Sequence, residues 1–267
     1  MKMRHPEAQR LKDRVAIITG GGGTNSMGRS IGIRFAEEGA KVAVTDIDGP
    51  SAVLVAEEIQ AGGGTAIAIT CDVTDLAQCE ATAKQVAETW GGKIDILMNN
   101  AGAFRGFIGS WRPFDEWTQA EWDHMMAVNV RGMWFCARAV VPYMKAQGYG
   151  KIVNMSSSTF FEGAPGVLHY TSSKAGVIGF TRGLGKELGE SGIRVNAIAP
   201  GYCMTEGGIE LSMGNQEFLD ARRMNQALNQ RNGLPSDIAG PALFLASEDS
   251  DYMTCCTILV DGGGELW

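Results

Sequence analysis

The sequence predicts a doubly wound α/β fold, in which a parallel seven-stranded sheet carries helices on both faces. The first supporting observation is that short β-rich runs occur seven times along the chain, and several of them are nearly all apolar. Strands that are covered on both faces have this composition. The second is that longer amphipathic segments separate these runs. Such alternation of strand and helix is typical of a parallel sheet with right-handed crossovers.

The predicted elements follow one another in a regular order. Strands are predicted at residues 15–19, 41–45, 65–71, 94–98, 151–155, 194–198 and 257–260. Helices are predicted at residues 30–38, 76–90, 122–144, 170–188, 216–228 and 235–246. No repeat, linker or break in composition divides the 267 residues, so we expect one domain over residues 1–267. Ligands of such sheets bind beyond the carboxyl ends of the strands, where we expect the chemistry.

Composition narrows the possible functions. No apolar run reaches the roughly 18 residues of a membrane helix, and residues 1–14 are polar, so we expect a cytoplasmic protein. The formal net charge of −7 argues against a nucleic-acid-binding surface. The six cysteines form no CxxC pair and have no histidine cluster beside them. We therefore predict reduced thiols and no metal site.

A glycine-rich stretch joins the first predicted strand to the first predicted helix. It reads Gly-Gly-Gly-Gly-Thr-Asn-Ser-Met-Gly over residues 20–28. Glycines allow a tight turn and a close approach of the backbone to a pyrophosphate, while the helix N-terminus offers N–H groups to the same anion. A flexible loop is the alternative, but the position between strand and helix favours a dinucleotide-binding (Rossmann) site.

The end of the second strand indicates which dinucleotide is bound. Asp46 stands there, 26 residues after Gly20, where a carboxylate accepts hydrogen bonds from an adenosine ribose. The same carboxylate would repel the additional phosphate of NADP, and the glycine stretch contains no Lys or Arg before Met27. A turn-forming role is the alternative, because Asp48, Gly49 and Pro50 follow. We predict NAD as the cofactor.

Several motifs together resemble the short-chain dehydrogenase/reductase family, in its compact single-domain branch, over nearly the whole chain. Tyr170-x-x-x-Lys174 alone is common by chance, but here a serine lies thirteen residues earlier, at Ser157, and Asn-Asn-Ala-Gly occurs at residues 99–102. The other matching pieces are the glycine loop, Asp72, Asn129, Pro200-Gly201 with Thr205, and Val-Asp-Gly-Gly at residues 260–263.

The resemblance implies a role for each matching residue. The implied catalytic residues are Asn129, Ser157, Tyr170 and Lys174. The implied cofactor-binding residues are Gly20, Gly28, Asp72, Val73, Asn100, Ala101, Gly102, Tyr170, Lys174, Pro200, Gly201 and Thr205. Ser26, Met27 and Cys203 beside them, and Asp46 from its place at the end of the second strand, complete the predicted cofactor site. It also implies a homotetramer that associates through helices 122–144 and 170–188.

Two departures from the family pattern concern the glycine loop and the C-terminal strand. The family spacing would place glycines at 24 and 26, where this chain has Thr24 and Ser26, with Gly28 two residues late. We read a two-residue insertion and expect the Ser26 hydroxyl to hydrogen-bond a phosphate. Cys255 stands where the family often has glycine, and we expect it to affect packing more than chemistry.

The implied chemistry is hydride transfer coupled to proton transfer. Tyr170 would be the acid/base, although a free phenol has a pKa near 10. Lys174, four residues on, and an oxidised nicotinamide would both favour the phenolate. Ser157 would stabilise charge on the substrate oxygen, and Asn129 would hold a water that extends the proton path. We expect His169 to lie in the substrate pocket or in solvent rather than in the catalytic set.

The predicted activity is that of an NAD-dependent alcohol dehydrogenase or ketoreductase acting on a hydrophobic, aryl or alicyclic, secondary alcohol. We expect a substrate lid at 202–231, because this connection is unusually long and follows the nicotinamide contact. The predicted apolar wall consists of Phe160, Phe161, Val167, Leu168, Tyr202 and Met204, with Phe104 and Arg105 also reaching in. Arg105, Arg222 and Arg223 favour the alternative, a sugar, polyol or anionic substrate. A 3-oxoacyl reductase, a longer-branch epimerase or dehydratase and a non-enzymatic cofactor sensor are less favoured.

Overall fold

The computed structural model describes residues 9–103 and 111–265, and these form a seven-stranded, all-parallel sheet with helices on both faces. The fold class predicted from the sequence is therefore confirmed. The strands are β1 (Val15–Thr19), β2 (Lys41–Asp46), β3 (Thr65–Thr70), β4 (Ile96–Asn99), β5 (Gly150–Met155), β6 (Ile193–Pro200) and β7 (Thr257–Val260). Each predicted strand is present, and the bounds differ by at most two residues.

The order of the strands creates a crevice at the centre of the sheet. They lie in the order β3-β2-β1-β4-β5-β6-β7, so β1 pairs with β2 on one side and with β4 on the other. The chain thus leaves β1 in one direction and later returns to its opposite edge. Such a reversal separates the loops at the carboxyl ends of the two strands, and ligands bind in the gap.

The helices are α1 (Met27–Glu37), α2 (Gly49–Ala61), α3 (Leu76–Thr89), α4 (Gln119–Met126), α5 (Gly132–Gln147), α6 (Thr159–Glu162), α7 (Leu168–Leu188), α8 (Glu206–Ser212), α9 (Gln216–Met224) and α10 (Pro235–Ala246). Among the described residues, no helix is both long and apolar enough to cross a membrane.

Two apolar layers hold the helices on the sheet. One contains buried side chains of α1, α2 and α10, such as Ile31, Phe35 and Leu243. The other contains side chains of α3, α5 and α7, such as Val140 and Leu188. Ile31 and Phe35 are four residues apart, lie on one face of α1 and are fully buried. Burial of a side chain of this size contributes about 1.5–3 kcal/mol, so these layers fix the positions of the helices.

Helix α2 is absent from the sequence-based prediction, in which residues 48–50 entered only as support for an alternative, turn-forming role of Asp46. These residues instead begin the helix. The Asp48 carboxylate accepts a hydrogen bond from the Ser51 amide at 3.3 Å, and Pro50 lies in the first turn. Both features stabilise helix N-termini, where the first amides have no partner within the helix.

The predicted single helix 122–144 is wrong at one point. Residues Ala127–Arg131 form a π-helical turn between α4 and α5. Such a turn contains one additional residue, which changes the direction in which the following side chains point, and it is frequent at functional sites. Asn129, one of the implied catalytic residues, lies inside it and is fully buried.

The departure at Cys255 has a structural consequence, as expected. Its backbone φ is +63°, in the left-handed region that favours glycine. The Cys255 Sγ packs against α7 at Gly185. A Cβ on Gly185 would lie only 2.7 Å from this sulfur. A cysteine at position 255 therefore requires a glycine at position 185. Cys255 affects packing at the edge of the sheet and not the cleft.

Candidate active site

A cleft of about 720 Å³ runs across the carboxyl ends of the strands. Most of the predicted cofactor-binding residues line it: Gly20, Ser26, Met27, Asp46, Asp72, Val73, Asn100, Ala101, Gly102, Tyr170, Lys174, Pro200, Gly201, Cys203 and Thr205. Ser157 lines it too. Gly28 and Asn129 do not, and both lie immediately behind its wall. The residues that the sequence predicted thus meet at one place, although they come from most of the chain.

The glycine loop approaches the neighbouring backbone too closely for side chains. A Cβ on Gly20, whose φ is +61°, would lie 2.7 Å from the Ala101 Cα. A Cβ on Gly28 would lie 2.3 Å from the Gly20 carbonyl oxygen. The Asn100 side chain donates to the carbonyls of Thr19 and Gly20, at 3.0 and 2.7 Å. The end of β4 therefore holds the glycine turn in place at the start of α1.

The Ser26 hydroxyl has a structural role in the glycine loop. It is the N-cap of α1: its Oγ accepts the Arg29 amide at 3.0 Å and donates to the Gly22 carbonyl at 2.7 Å. That the same hydroxyl contacts a phosphate stays a prediction. The cap nevertheless fixes the helix N-terminus, which is the part of the loop that attracts anions.

One end of the cleft is acidic. The Asp46 carboxylate accepts the Gly22 amide through Oδ2 and the Asp48 amide through Oδ1, both at 3.0 Å. Asp48 and Asp72 line the same end. The lining residues between Gly20 and Val73 that the structure describes include no lysine or arginine. This end therefore offers hydrogen-bond acceptors and a negative charge.

The other end brings together three of the four predicted catalytic side chains. Tyr170 and Lys174 lie one turn apart on α7, and the Lys174 Nζ is 5.6 Å from the centre of the Tyr170 ring. The Lys174 Nζ also donates to the Met155 carbonyl at 2.9 Å, which joins α7 to the end of β5. Ser157, two residues beyond that carbonyl, is hydrogen-bonded to Tyr170. Strand β5 thus fixes both partners of the tyrosine.

The protonation of this group is governed mainly by burial. Burial raises the pKa of Tyr170 to about 12, against a smaller lowering by its hydrogen bond with Ser157. Burial also lowers the pKa of Lys174 to about 8. Both shifts favour the neutral form, because a buried charge loses its hydration. Without a bound cofactor, Tyr170 is therefore harder to deprotonate than we expected from the charge of Lys174.

Both the oxygen and the nitrogen of the Asn129 side chain form hydrogen bonds. Its Oδ1 accepts the Ala103 amide at 2.7 Å, while its Nδ2 donates to the Ser173 Oγ at 2.9 Å and contacts the Met125 Sδ at 3.0 Å. Ser173 in turn donates to the Tyr170 carbonyl at 2.7 Å. Asn129 therefore joins the loop after β4 to the catalytic helix. That it also carries a water on the proton path stays a prediction.

The substrate end of the cleft has a more mixed lining than the predicted apolar wall. Of the six apolar side chains named, Val167 and Tyr202 line the cleft, whereas Phe160 and Leu168 are 40% and 45% exposed. Phe104 and Arg105 lie outside the described residues. The lining also includes side chains that the sequence-based argument did not single out: Trp111, His124 and Leu211. No motif marked them, because folding alone brings them to the cleft.

His169 occupies neither of its expected places. It is 1% exposed, and its ring stacks on Trp117 with the ring centres 3.8 Å apart. Burial lowers the pKa of His169, which favours the neutral ring. It lies in the first turn of α7 and packs in the interior, beside Trp117. Among the described residues, no group of three or more potential ligands is placed to hold a metal ion.

The predicted lid contains two helices, α8 and α9, and a group of hydrogen bonds joins its base to the glycine loop. The Glu206 carboxylate accepts the Thr24 amide and hydroxyl, both at 2.7 Å, and the Asn25 amide at 3.1 Å. The Asn25 side chain donates to the Met204 carbonyl at 2.7 Å. We call these four residues the clasp. Thr24 and Asn25 lie in the part of the glycine loop whose spacing departs from the family pattern, and they connect the loop to the lid.

Comparison with known proteins gives consistent matches over the whole chain. The family described as Enoyl-(Acyl carrier protein) reductase matches residues 21–265. A (2S)-[(R)-hydroxy(phenyl)methyl]succinyl-CoA dehydrogenase subunit from Thauera aromatica is 39% identical over 96% of this chain and 98% of its own. A probable galactose dehydrogenase from Rhizobium meliloti is 35% identical over 95% of each chain.

Solved structures agree with the sequence relatives. The structure of a candidate gluconate dehydrogenase from Agrobacterium tumefaciens superposes with a TM-score of 0.88 at 30% identity, over 96% of this chain and 98% of that one. A candidate short-chain alcohol dehydrogenase from Sinorhizobium meliloti gives a TM-score of 0.86 at 35% identity, over the same shares. With the Ser157, Tyr170 and Lys174 geometry, these full-length matches show that the chain belongs to the short-chain dehydrogenase/reductase family of nicotinamide-dependent oxidoreductases.

Proposed function

We propose that this protein is an NAD-dependent dehydrogenase, or ketoreductase in the reverse direction, of a secondary alcohol. The observation that carries the proposal is the meeting of Ser157, Tyr170 and Lys174 at one end of a cleft whose other end fits an adenosine. Around these groups, the fully engaged Asn129 holds the catalytic helix against the loop after β4. A cofactor sensor would not need this arrangement.

In the proposed reaction, the residues of the chain handle the proton. A nicotinamide bound near Pro200, Gly201 and Thr205 would supply the hydride acceptor for oxidation of the alcohol to a carbonyl. Tyr170 takes the hydroxyl proton, and Ser157 donates a hydrogen bond to the substrate oxygen. Because burial raises the pKa of Tyr170 to about 12, we expect the phenolate to form only while the cationic, oxidised ring is bound.

The acidic end of the cleft supports NAD rather than NADP. Asp46, Asp48 and Asp72 surround the place where an adenosine ribose would lie, and an additional phosphate there would meet negative charge without a balancing cation among the described lining residues. The relatives named above, which include dehydrogenases of a hydroxy acyl-CoA and of galactose, support an alcohol as substrate. The cytoplasmic location stays a prediction from the sequence.

The proposal is tested by following NADH formation with neutral secondary alcohols, and by the Tyr170→Phe variant. We expect this variant to bind NAD with unchanged affinity and to lose about 10²–10⁴-fold in turnover, because only the proton-transfer group is removed. Ser172→Ala, two residues away on α7, serves as the matched control. Near-normal turnover by Tyr170→Phe, or no NADH from any alcohol in the panel, would contradict the proposal.

A further inference from the structure

An ion pair between two helices forms part of the wall at the substrate end of the cleft. Glu162, the last residue of α6, and Arg222, on α9, both line it. Their Oε1 and Nη1 atoms are 2.9 Å apart, and their side chains are only 29% and 26% exposed. Helix α6 begins two residues after Ser157, so this pair lies on the same loop system as a catalytic side chain.

The Glu162–Arg222 pair can form further hydrogen bonds with a ligand. Among the described hydrogen bonds, Arg222 uses only Nη1 and Glu162 only Oε1. A guanidinium carries several N–H donors and a carboxylate accepts several hydrogen bonds. The Phe218 ring lies 5.4 Å from the Arg222 guanidinium carbon and limits its movement. The pair therefore presents fixed donors and fixed acceptors side by side to a ligand.

The charge around Arg222 does not suit an anion. Glu162 already neutralises the Arg222 guanidinium. Glu265 lies close enough to interact electrostatically with both side chains. The pKa of Glu265 is raised, first by burial and then by Glu162 and Asp261, while Arg222 opposes the shift. Among the described residues at this end of the cleft, acids thus outnumber the one arginine that lines it. A carboxylate or phosphate on the substrate would be repelled, whereas a neutral hydroxyl can both donate and accept.

The remaining wall suits a ligand with hydroxyl groups on a carbon frame. Ser158 and Thr159 line the cleft as well, and the Thr159 hydroxyl is hydrogen-bonded to the Ser157 hydroxyl at 2.7 Å. Trp111 and Tyr202 add aromatic side chains, and Tyr202 is held by its hydroxyl bond to the Gly208 carbonyl at 2.6 Å. Aromatic rings pack against carbon-bound hydrogens, and charged pairs satisfy the hydroxyls. This combination differs from the apolar wall predicted from the sequence.

We infer that the Glu162–Arg222 pair is the recognition site for neighbouring hydroxyl groups of the substrate, which is therefore a neutral polyol. Glu162 accepts hydrogen bonds from two of its hydroxyls, and Arg222 donates to them. The inference rests on the proposed dehydrogenase function. It assigns the distal part of the substrate and leaves the reacting carbon to Ser157 and Tyr170.

The test compares kcat/KM for three groups of substrate with NAD: neutral C5 and C6 polyols (xylitol, sorbitol, galactitol and mannitol), 2-hexanol, and gluconate. We expect the best polyol to exceed both 2-hexanol and gluconate. In Glu162→Gln, the ratio of polyol to 2-hexanol should fall about 10–100-fold, mainly through KM, as expected for losing hydrogen bonds to a charged group. Asp220→Asn, which breaks the ion pair of Asp220 with Arg223 on the same helix, is the matched control and should leave the ratio unchanged.

A binding measurement separates this inference from the proposed function. Saturation-transfer NMR on Tyr170→Phe with NADH should detect the best polyol, and the signal should be lost on adding Glu162→Gln. Turnover of 2-hexanol with no advantage for any polyol would overturn the inference and leave the dehydrogenase intact. A preference for gluconate that disappears in Arg222→Met would overturn it in favour of an anion site. Absence of turnover with every alcohol, while polyol binding depends on Glu162, would instead contradict the dehydrogenase.

Discussion

Asp46 shows how one carboxylate serves both the loop and the ligand. It holds the Gly22 and Asp48 amides, each at 3.0 Å, so it shapes the end of the glycine loop. It also lines the cleft, so its remaining lone pairs are available to a ligand there. The turn-forming role and the cofactor role, which the sequence left as alternatives, are compatible in this geometry.

We expect Asp46→Ala to weaken NAD binding about ten-fold or more and to reduce the discrimination against NADP. The variant removes hydrogen bonds to a charged group and the charge that repels a phosphate. The dissociation constants of NAD and NADP, measured by calorimetry, check this. Asp46→Asn keeps an acceptor without the charge, so it should relax the discrimination more than it weakens NAD. Equal affinity of the unmodified protein for both cofactors would refute the argument.

Lys174 should give the folded chain a distinctive pH dependence. Burial lowers its pKa from 10.5 to about 8. Between these values the folded chain binds fewer protons than the unfolded chain, so the free energy of unfolding rises with pH across this window. Below pH 8 the cost of the buried charge is fully present, and above the ordinary pKa it is gone.

Urea unfolding at pH 7 and pH 10, without cofactor, measures this effect. Relative to Lys174→Met, the unmodified chain should gain about 1–3 kcal/mol on going to the higher pH, because each pKa unit corresponds to about 1.4 kcal/mol. Taking the difference between the two proteins removes the contribution of other groups that titrate in this range. Parallel stability curves would show that Lys174 keeps an ordinary pKa in the folded chain.

At the scale of elements, the connection between β6 and α10 is the part that departs most from a plain α/β repeat. It contains α8 and α9, and the clasp joins its base to the glycine loop. The backbone also pairs at Cys203 and Gly233, so both ends of the segment are fixed. Movement of the lid is therefore expected in α8 and α9 rather than at the ends.

We expect Glu206→Ala to release the clasp. The Thr24 and Asn25 amides lose their acceptor, so their hydrogen exchange should accelerate about ten-fold or more, in line with the loss of hydrogen bonds to a charged group. Hydrogen-exchange mass spectrometry of peptides over residues 20–28 and 202–212 measures this. Glu217→Ala removes an exposed acid on α9 and is the control. Unchanged exchange in Glu206→Ala would mean that the clasp does not hold the loop.

At the scale of the whole molecule, one surface suggests association with further copies. Trp122 and Trp134, on α4 and α5, are 37% and 47% exposed. They line an open groove together with Val130 and Phe180, the latter on α7. Large apolar side chains grouped on a surface commonly mark protein interfaces. These are the helices through which the family resemblance implies a homotetramer.

We therefore expect four copies of the 28.5 kDa chain in solution at micromolar concentration. Trp134→Glu should shift the protein to a smaller species, because a charge would be buried in the interface. Light scattering after size-exclusion chromatography measures both. Leu54→Glu, at a position on α2 that is 59% exposed, is the control and should leave the mass unchanged. A monomer for the unmodified chain would exclude the tetramer.

The sequence determined the fold and most of the cleft on its own. Strand positions followed from apolar runs, since parallel strands that are covered on both faces are mostly apolar. The glycine spacing is a local pattern, because a turn without side chains requires only neighbouring residues. Tyr170-x-x-x-Lys174 is local as well, because residues four apart lie on one face of a helix. Helix α2 was missed because its capping residues, Asp48 and Pro50, also favour turns.

Only the tertiary structure decided what depends on contacts between distant segments. The burial of His169 against Trp117 depends on two residues that no spacing relates. The same is true of Glu206 over the glycine loop and of Glu162 with Arg222, which are 60 residues apart. Local patterns specify which element a residue joins, whereas the partners of a polar side chain are set by how those elements pack.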